Sequence, residues 1–233
     1  MTPRYSLVVP LHNEAGNILP LVADAVAVLA ARGPNFEIIL VNDGSRDGTA
    51  AEIADAVRRF PPCRDIHLPR RRGQATALLT GLQAARGELL LTLDGDGQDD
   101  PRDFPALLEL VESGQLDLAC GWRVDRHDSW LRRKLSRFAN VVRRGIFRDG
   151  VHDSGCQLRV MRRAVAGALF PTPMMQSFVP AIAVAAGFRA GERAVTHRAR
   201  RHGETKYPAG ELLWRPLVAT IILRVRLWLR PRR

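Results

Sequence analysis

Short apolar runs alternate along this chain with stretches whose apolar residues recur every three or four positions. Tyr5-Ser6-Leu7-Val8-Val9-Pro10, Glu37-Ile38-Ile39-Leu40-Val41, Ile66-His67-Leu68 and Leu89-Leu90-Leu91-Thr92-Leu93 are too short for core helices and read as buried strands, with Pro10 expected to stop the first. Residues 15–31 carry Leu21, Val22, Ala25, Val28 and Leu29 at helical spacing and end at Gly33-Pro34. A second helix is expected from Thr49, and a third up to about Ala85, with Gly87 after it. Nearly unbroken apolar strands alternating with helices imply a mainly parallel sheet covered on both faces, a three-layer α/β fold. Beyond it come a helix after Pro101, a strand over Asp117–Arg123, a basic segment over 128–148 and a strand over Leu158–Met161. A short apolar helix at 176–187 and an edge strand over Arg193–His197 complete the body.

The last stretch follows a different rule. Trp214, Leu217, Val218, Ile221, Val225 and Trp228 fall near one helical face, while Arg215, Arg224, Arg226, Arg230, Arg232 and Arg233 supply charge. A basic amphipathic helix with Trp at both ends suits a membrane interface, and a last helix docked on the core is the plainer alternative. The expected organisation is a main domain over 1–209 and this helix over 210–233.

Polar residues concentrate where strands end. Leu93-Asp94-Gly95-Asp96-Gly97-Gln98-Asp99-Asp100-Pro101 closes the fourth strand in a burst of carboxylates. Along an extended segment residues i and i+2 share a side, so Asp94 and Asp96 can aim at one spot. Two such anions repel unless a cation lies between them, and Mg²⁺ or Mn²⁺ suits oxygen ligands of this kind. Open α/β sheets place ligands at the carboxyl ends of their strands, which brings in Asp43 as well. Asp99 and Asp100 read instead as the start of a helix, with Pro101 and Asp103 in its first turn. Thr49 and Glu52 have capping-box spacing and read as structural. The chain lacks G-x-G-x-x-G after its first strand and lacks G-x-x-x-x-G-K-[ST], against a dinucleotide fold and a P-loop ATPase.

Composition narrows the field. Across 233 residues a 46% hydrophobic content supports a real core, and three scattered cysteines suggest neither a disulfide framework nor a zinc site. A reducing compartment, no signal peptide and no spanning helix are the expectations. The net charge of +11 calls for an anionic partner: nucleic acid, lipid or phosphorylated substrate. Its arginines crowd residues 122–163, 189–206 and 215–233, opposite in sign to the acidic strand exit. Aromatic residues make up only 6%, which speaks against a base-stacking nucleic-acid surface. No H-E-x-x-H and no G-x-S-x-G occurs, so zinc and a serine nucleophile are not expected; Ser45 and Ser154 read as turn residues.

Four motifs coincide: VVPLHNE at 8–14, VNDGSRDGT at 41–49, LDGDGQDDP at 93–101 and RRHGETKY at 200–207. Together they resemble a family-2 glycosyltransferase of the GT-A fold, over most of residues 4–210. More narrowly the chain is similar to enzymes that make polyprenyl-phosphate sugars, the dolichol-phosphate mannose synthase group. DSWLRRKLSRFAN at 128–140 and DSGCQLRVMRR at 153–163 resemble the undecaprenyl-phosphate formamidoarabinose transferases in particular.

The resemblance implies a nucleotide-sugar pocket lined by Pro10, His12, Glu14, Val41, Asp43, Gln74, Asp94, Gly95 and Asp96. The family commonly has Tyr at His12 and Asp at Asn42. It also implies a metal held by Asp94 and Asp96 with Gln98 beside them, and phosphates held by Arg123, Arg133, Arg200 and Lys206. Transfer would rest on Asp96, Arg123, Asp153, Arg200 and Lys206. The implied reaction inverts the anomeric centre while moving a sugar from a nucleotide sugar to undecaprenyl or dolichyl phosphate. A phosphate monoester is already substantially ionised at neutral pH, its second pKa being about 6, so it needs cations rather than a strong base. Such an enzyme would work peripherally on the cytoplasmic face of the membrane, with a membrane-protein partner or a second copy of the chain left open. The competing readings are a family-2 transferase with a soluble or glycan acceptor, a noncatalytic relative and a nucleic-acid binder.

Overall fold

The computed structural model describes residues 2–124, 140–198 and 211–229. Its strands are β1 (Tyr5–Leu11), β2 (Phe36–Asn42), β3 (Cys63–His67), β4 (Leu89–Thr92), β5 (Leu118–Arg123), β6 (Arg159–Arg162) and β7 (Ala190–Val195). The helices are α1 (Ile18–Ala30), α2 (Thr49–Arg59), α3 (Gln74–Ala84), α4 (Phe104–Glu112), helical residues 140–147 as α5, α6 (Arg163–Ala168), α7 (Met175–Ala185) and α8 (Glu211–Leu229). The strands form one sheet in the order β3-β2-β1-β4-β6-β5-β7. All neighbours pair in parallel except β6, which runs antiparallel to both β4 and β5.

Because side chains alternate across a strand, each apolar run feeds two cores. Leu7, Val9, Ile38, Leu40, Leu89 and Leu91 pack beneath α1, α2 and α4. Val8, Ile39, Val41 and Leu90 pack on the other face beneath α3, α6, α7 and α8. This is the expected three-layer α/β fold. Gly81 lets α3 settle closely on the sheet, since a Cβ there would lie 2.3 Å from Val8 Cγ1 and 3.0 Å from Val41 Cγ2.

Pro10 does not stop β1, which runs on to Leu11 with Pro10 in register with Val41. Val8 O accepts from Leu93 N, whereas Leu11 O accepts from Asp43 N, so alternate residues face β4 and β2. Pro10 therefore turns its missing N–H toward the side where β4 has already ended, and no ladder bond is lost there.

The N-terminal end of the sheet is fastened by a buried carboxylate. Glu37 accepts from Ser6 Oγ at 2.7 Å, Arg64 Nε at 2.8 Å and Arg86 N at 2.7 Å. At the other end of the chain, α8 docks through Ala219, Thr220 and Leu223. Its opposite side stays open: Trp214 is 55% exposed, Ile221 65% and Trp228 77%, with Leu217, Val218 and Val225 also exposed. These are the residues of the stripe expected from the sequence. Among the described residues no helix is long and apolar enough to cross a membrane.

Candidate active site

The carboxyl ends of β1, β2 and β4 meet at one edge, and their exit loops are tied to one another. His12 Nδ1 donates to Asp43 O at 2.8 Å, Asn13 N to Ser45 Oγ at 3.0 Å, and Arg46 N to Asn13 Oδ1 at 2.9 Å. Thr49 and Glu52 are structural, though not as a capping box. Gly48 is the N-cap of α2 without a side-chain cap bond. The Thr49 hydroxyl accepts from Glu14 N, and Glu52 accepts from Gly16 N and Leu19 N. The carboxylate has a better use in trans, because Gly16 and Leu19 flank the start of α1, whose first amides lack intrahelical partners.

Asp43 is buried and forms the floor of this edge. Its Oδ1 accepts from Arg72 N at 2.6 Å and its Oδ2 from Gly73 N at 2.8 Å, so the loop after β3 is clamped over the end of β2. Gly44 makes the clamp possible: with φ 60, a Cβ there would stand 2.5 Å from Arg70 C and Arg71 N. Asn42 takes Ser45 N on Oδ1 and pairs through Nδ2 with His67 Nδ1 at 3.0 Å. Val41 lies wholly in the core behind these groups, Glu14 is buried, and Pro10 and His12 are half-buried.

Asp94 and Asp96 follow β4, separated by the buried Gly95. Asp94 Oδ1 accepts from Gln74 Nε2 at 2.6 Å, and Asp96 Oδ1 from Gln98 N at 3.1 Å. Burial raises the Asp94 carboxyl well above its ordinary range; Asp96 and Asp99 add to the rise, while Arg123 and Arg159 oppose it. Two carboxylates this close call for a cation. Among the described residues no three His, Cys, Asp or Glu side chains converge on a metal position. The oxygen donors of Asp94 and Asp96 are of the kind a hard divalent ion takes.

Arg123 and Asp153 come together as expected, but on each other. Arg123 Nε and Nη2 donate to Asp153 Oδ2 and Oδ1 at 2.7 and 3.0 Å, a two-pronged pair in which both side chains are largely buried. The sequence reading gave Arg123 a phosphate; in the structure its fork is engaged by a carboxylate, whose geometry matches it equally well. Beneath them Asp99 is almost fully buried, and burial pushes its carboxyl up to about 6, against the pull of Arg123 and with the push of Asp96 and Asp153. Asp100 does cap the turn at Pro101, accepting from Arg102 N at 3.0 Å.

The structure adds residues that the sequence did not single out. Arg198 pairs with Asp100 and, at 3.3 Å, with Asp24, while its own N–H donates to Gln98 O at 2.8 Å. The segment leaving β7 is thereby fixed against the Asp94–Asp100 loop. Gln176, in the first turn of α7, donates to Gln74 Oε1 at a long 3.4 Å, and the fully buried Arg159 holds Gln176 O at 2.6 Å and Ser154 O at 2.8 Å. Apart from Arg159–Ser154, these contacts join residues well separated in sequence, and no local pattern announces them. Arg133, Arg200 and Lys206 lie outside the described residues.

Comparison with known proteins gives the family and the fold. The family model described as Glycosyl transferase family 2 matches residues 6–170. The dodecaprenyl-phosphate galacturonate synthase of Rhizobium johnstonii is 39% identical over 87% of this chain and 61% of its own length. The undecaprenyl-phosphate 4-deoxy-4-formamido-L-arabinose transferase of Edwardsiella ictaluri is 35% identical over 89% of this chain and 64% of its own length. The chain thus spans about three fifths of the length of these relatives. Glucosyl-3-phosphoglycerate synthase from Mycobacterium tuberculosis, solved with Mn²⁺, uridine diphosphate and glucosyl-3-phosphoglycerate, superposes with a TM-score of 0.71. It shares 18% identity, with 95% of this chain and 80% of that one covered, and shows the same fold.

Proposed function

The chain belongs to glycosyl transferase family 2, and from that premise we propose that it moves a sugar from a nucleotide sugar to a polyprenyl phosphate. The observation that carries this reading is the carboxylate pair Asp94–Asp96 at the exit of β4, beside the Asp43-clamped end of β2. The relatives' named acceptors, dodecaprenyl and undecaprenyl phosphate, support the lipid side.

In this reading the nucleotide lies across the ends of β1 and β2, over His12, Glu14 and Asp43, with its diphosphate toward Asp94 and Asp96. Those two residues, with Gln98 beside them, would hold Mg²⁺ or Mn²⁺. When bound, such an ion supplies positive charge to the departing diphosphate. Gln74 orients Asp94 through its 2.6 Å hydrogen bond. The acceptor oxygen is a phosphate oxygen, already anionic at neutral pH, so the protein must attract and aim it rather than deprotonate it. Arg133, Arg200 and Lys206 are the cations proposed for that task. Arg123, held by Asp153, contributes positive charge that opposes the rise of the Asp94 carboxyl. Displacement in one step inverts the anomeric centre.

The lipid end requires a surface. The exposed stripe of α8, with Arg215 and Arg224 exposed beside it, suits a membrane interface, Trp side chains at the headgroup level and guanidinium groups toward anionic lipid. Free buried Cys63, Cys120 and Cys156 accord with the reducing, cytoplasmic side of that membrane.

The test is a transfer assay with undecaprenyl phosphate, Mg²⁺ or Mn²⁺, and a panel of UDP- and GDP-sugars, combined with vesicle flotation. A lipid-extractable sugar product and flotation that Ile221→Glu weakens are expected. Transfer only to water-soluble acceptors would refute the lipid acceptor, and loss of all transfer in a well-folded protein would refute the enzyme.

A further inference from the structure

Resting on the role proposed for the Asp94–Asp96 pair, we propose that Arg198 is a positioning residue for that pair. Its guanidinium ties the far end of the Asp94–Asp100 loop to α1, and this tie sets how well the two carboxylates are presented to a divalent cation.

The loop needs such a tie. Residues 93–100 follow the end of β4, and Gly97, with φ 71, sits among them. At the near end Leu93 N donates to Val8 O and Gln74 holds Asp94, so Asp94 is fixed to the sheet and to α3. Asp96 is held within its own turn, its Oδ1 accepting from Gln98 N, so its aim follows the backbone at Gln98.

That backbone is held by the segment that leaves β7. Thr196 N donates to Asp103 Oδ2 at 2.7 Å, His197 forms an antiparallel bridge with Asp99, and Arg198 N donates to Gln98 O at 2.8 Å. The Asp99 carboxylate also takes the N–H of Gln157. The bridge joins two segments outside the named strands of the sheet, and such a pair is only as steady as its anchor. Arg198 supplies the anchor: Nη2 donates to Asp100 Oδ2, and Nη1 to Asp24 Oδ2 at 3.3 Å. Asp24 lies in the middle of α1, a helix packed in the core through Leu21, Val22 and Ala25. One planar fork thus bridges carboxylates on two elements, which the point charge of a lysine reproduces poorly.

The energetics separate positioning from bulk stability. Asp24 is 43% exposed, and an ion pair open to solvent adds little to the whole fold. Asp100 keeps its bonds from Arg102 when Arg198 is removed, so no buried carboxylate is stranded. Groups that orient metal ligands from behind, by contrast, typically change metal affinity about 10–100-fold. Loss of Arg198 is therefore felt at the carboxylates and barely in the melting temperature.

The experiment uses the intact chain as wild type, Arg198→Ala, Arg198→Lys, Asp24→Asn and the Asp24→Asn, Arg198→Ala double variant. Three quantities are read: amide hydrogen exchange across residues 94–100 in metal-free protein, the Mn²⁺ dissociation constant with UDP or GDP present by electron paramagnetic resonance, and the melting temperature. Arg198→Ala and Arg198→Lys should both quicken exchange in the loop and weaken Mn²⁺ binding by about tenfold or more, while exchange around Glu37 and the melting temperature stay as in the wild type. Asp24→Asn should weaken Mn²⁺ binding by about two- to fivefold. The double variant should be no worse than Arg198→Ala, because both changes break one bridge. Wild-type Mn²⁺ binding and loop exchange in Arg198→Ala, wild-type behaviour in Arg198→Lys, or additive losses in the double variant would overturn the assignment. Exchange that quickens equally around Glu37 would show a loss of global stability and overturn it as well. A wild type that binds no Mn²⁺ removes the carboxylate-pair reading and this inference with it. Mn²⁺ binding by the wild type that is indifferent to Arg198 removes the inference alone.

Discussion

Replacing Glu37 with Gln tests how the sheet is held at the end far from the site. Burial alone would push this carboxyl up. The hydrogen bonds from Arg64, Ser6 and Arg86 overcome that and draw it down from 4.5 to about 2. A shift of that size corresponds to about 3 kcal/mol of native-state stabilisation. Arg86 is largely exposed, so solvent screening trims the figure to about 2–3 kcal/mol. The native carboxyl is the more acidic one. Its contribution is therefore complete above the unfolded value near 4.5 and drains away as pH falls toward 2. By about pH 3 more than half should be gone. Urea unfolding of the wild type and Glu37→Gln should show a gap of about 2–3 kcal/mol at neutral pH that narrows to about 1 kcal/mol near pH 3. Activity per folded molecule should not change, because Ser6 and Glu37 begin their strands while the site lies at the strand ends. A gap that stayed constant across this range would show that the carboxylate's charge is not what fastens this end.

Asp96→Asn should lower transfer on the order of 10²–10³-fold. It should leave the melting temperature unchanged or slightly higher, since one of two repelling carboxylates is removed; transfer rates beside a thermal melt check both. Asp153→Asn strands the buried Arg123 guanidinium and should cost about 3–5 kcal/mol, seen as a melting point lower by about 6 °C or more. Gly44→Ala forces a side chain into the Arg70–Arg71 backbone at a left-handed φ. It should raise the KM for the nucleotide sugar by about tenfold while kcat changes little, because the clamp at Asp43 opens; steady-state kinetics decide.

Much of this site was legible because the fold obeys a simple rule: apolar runs become parallel strands, and the polar residues after them collect at one edge. Asp43, Asp94, Asp96 and Arg123 were all found that way. The rule fails for Asp153 and Gln157, which precede their strand. Only the reversed direction of β6 brings them to the same edge, and nothing in Leu158-Arg159-Val160-Met161 reveals its direction. Gln176 was invisible for another reason, being a polar residue in the first turn of an apolar helix. Thr49 and Glu52 show a local motif overridden by a neighbour, since the first amides of α1 outbid the cap of α2. Arg123 was placed correctly at a strand end, but its partner, 30 residues away, could not be read from the spacing.

The reversed strand also sets an order of assembly. β3, β2, β1 and β4 can pair as soon as residue 92 has been made, yet β4 then presents a bare edge. β5 is synthesised next and has no neighbour of its own, because β6 must lie between it and β4. Synthesis from residue 92 to residue 159 takes roughly 3–13 s at about 5–20 residues per second. Throughout that interval a nascent chain carries an unpaired apolar edge and an orphan strand, which invite pairing with other chains. The β6 segment is thus the closing piece of the sheet. Variants that slow its insertion should be rescued by a chaperone or by lower temperature during synthesis, even where the finished protein is fully stable.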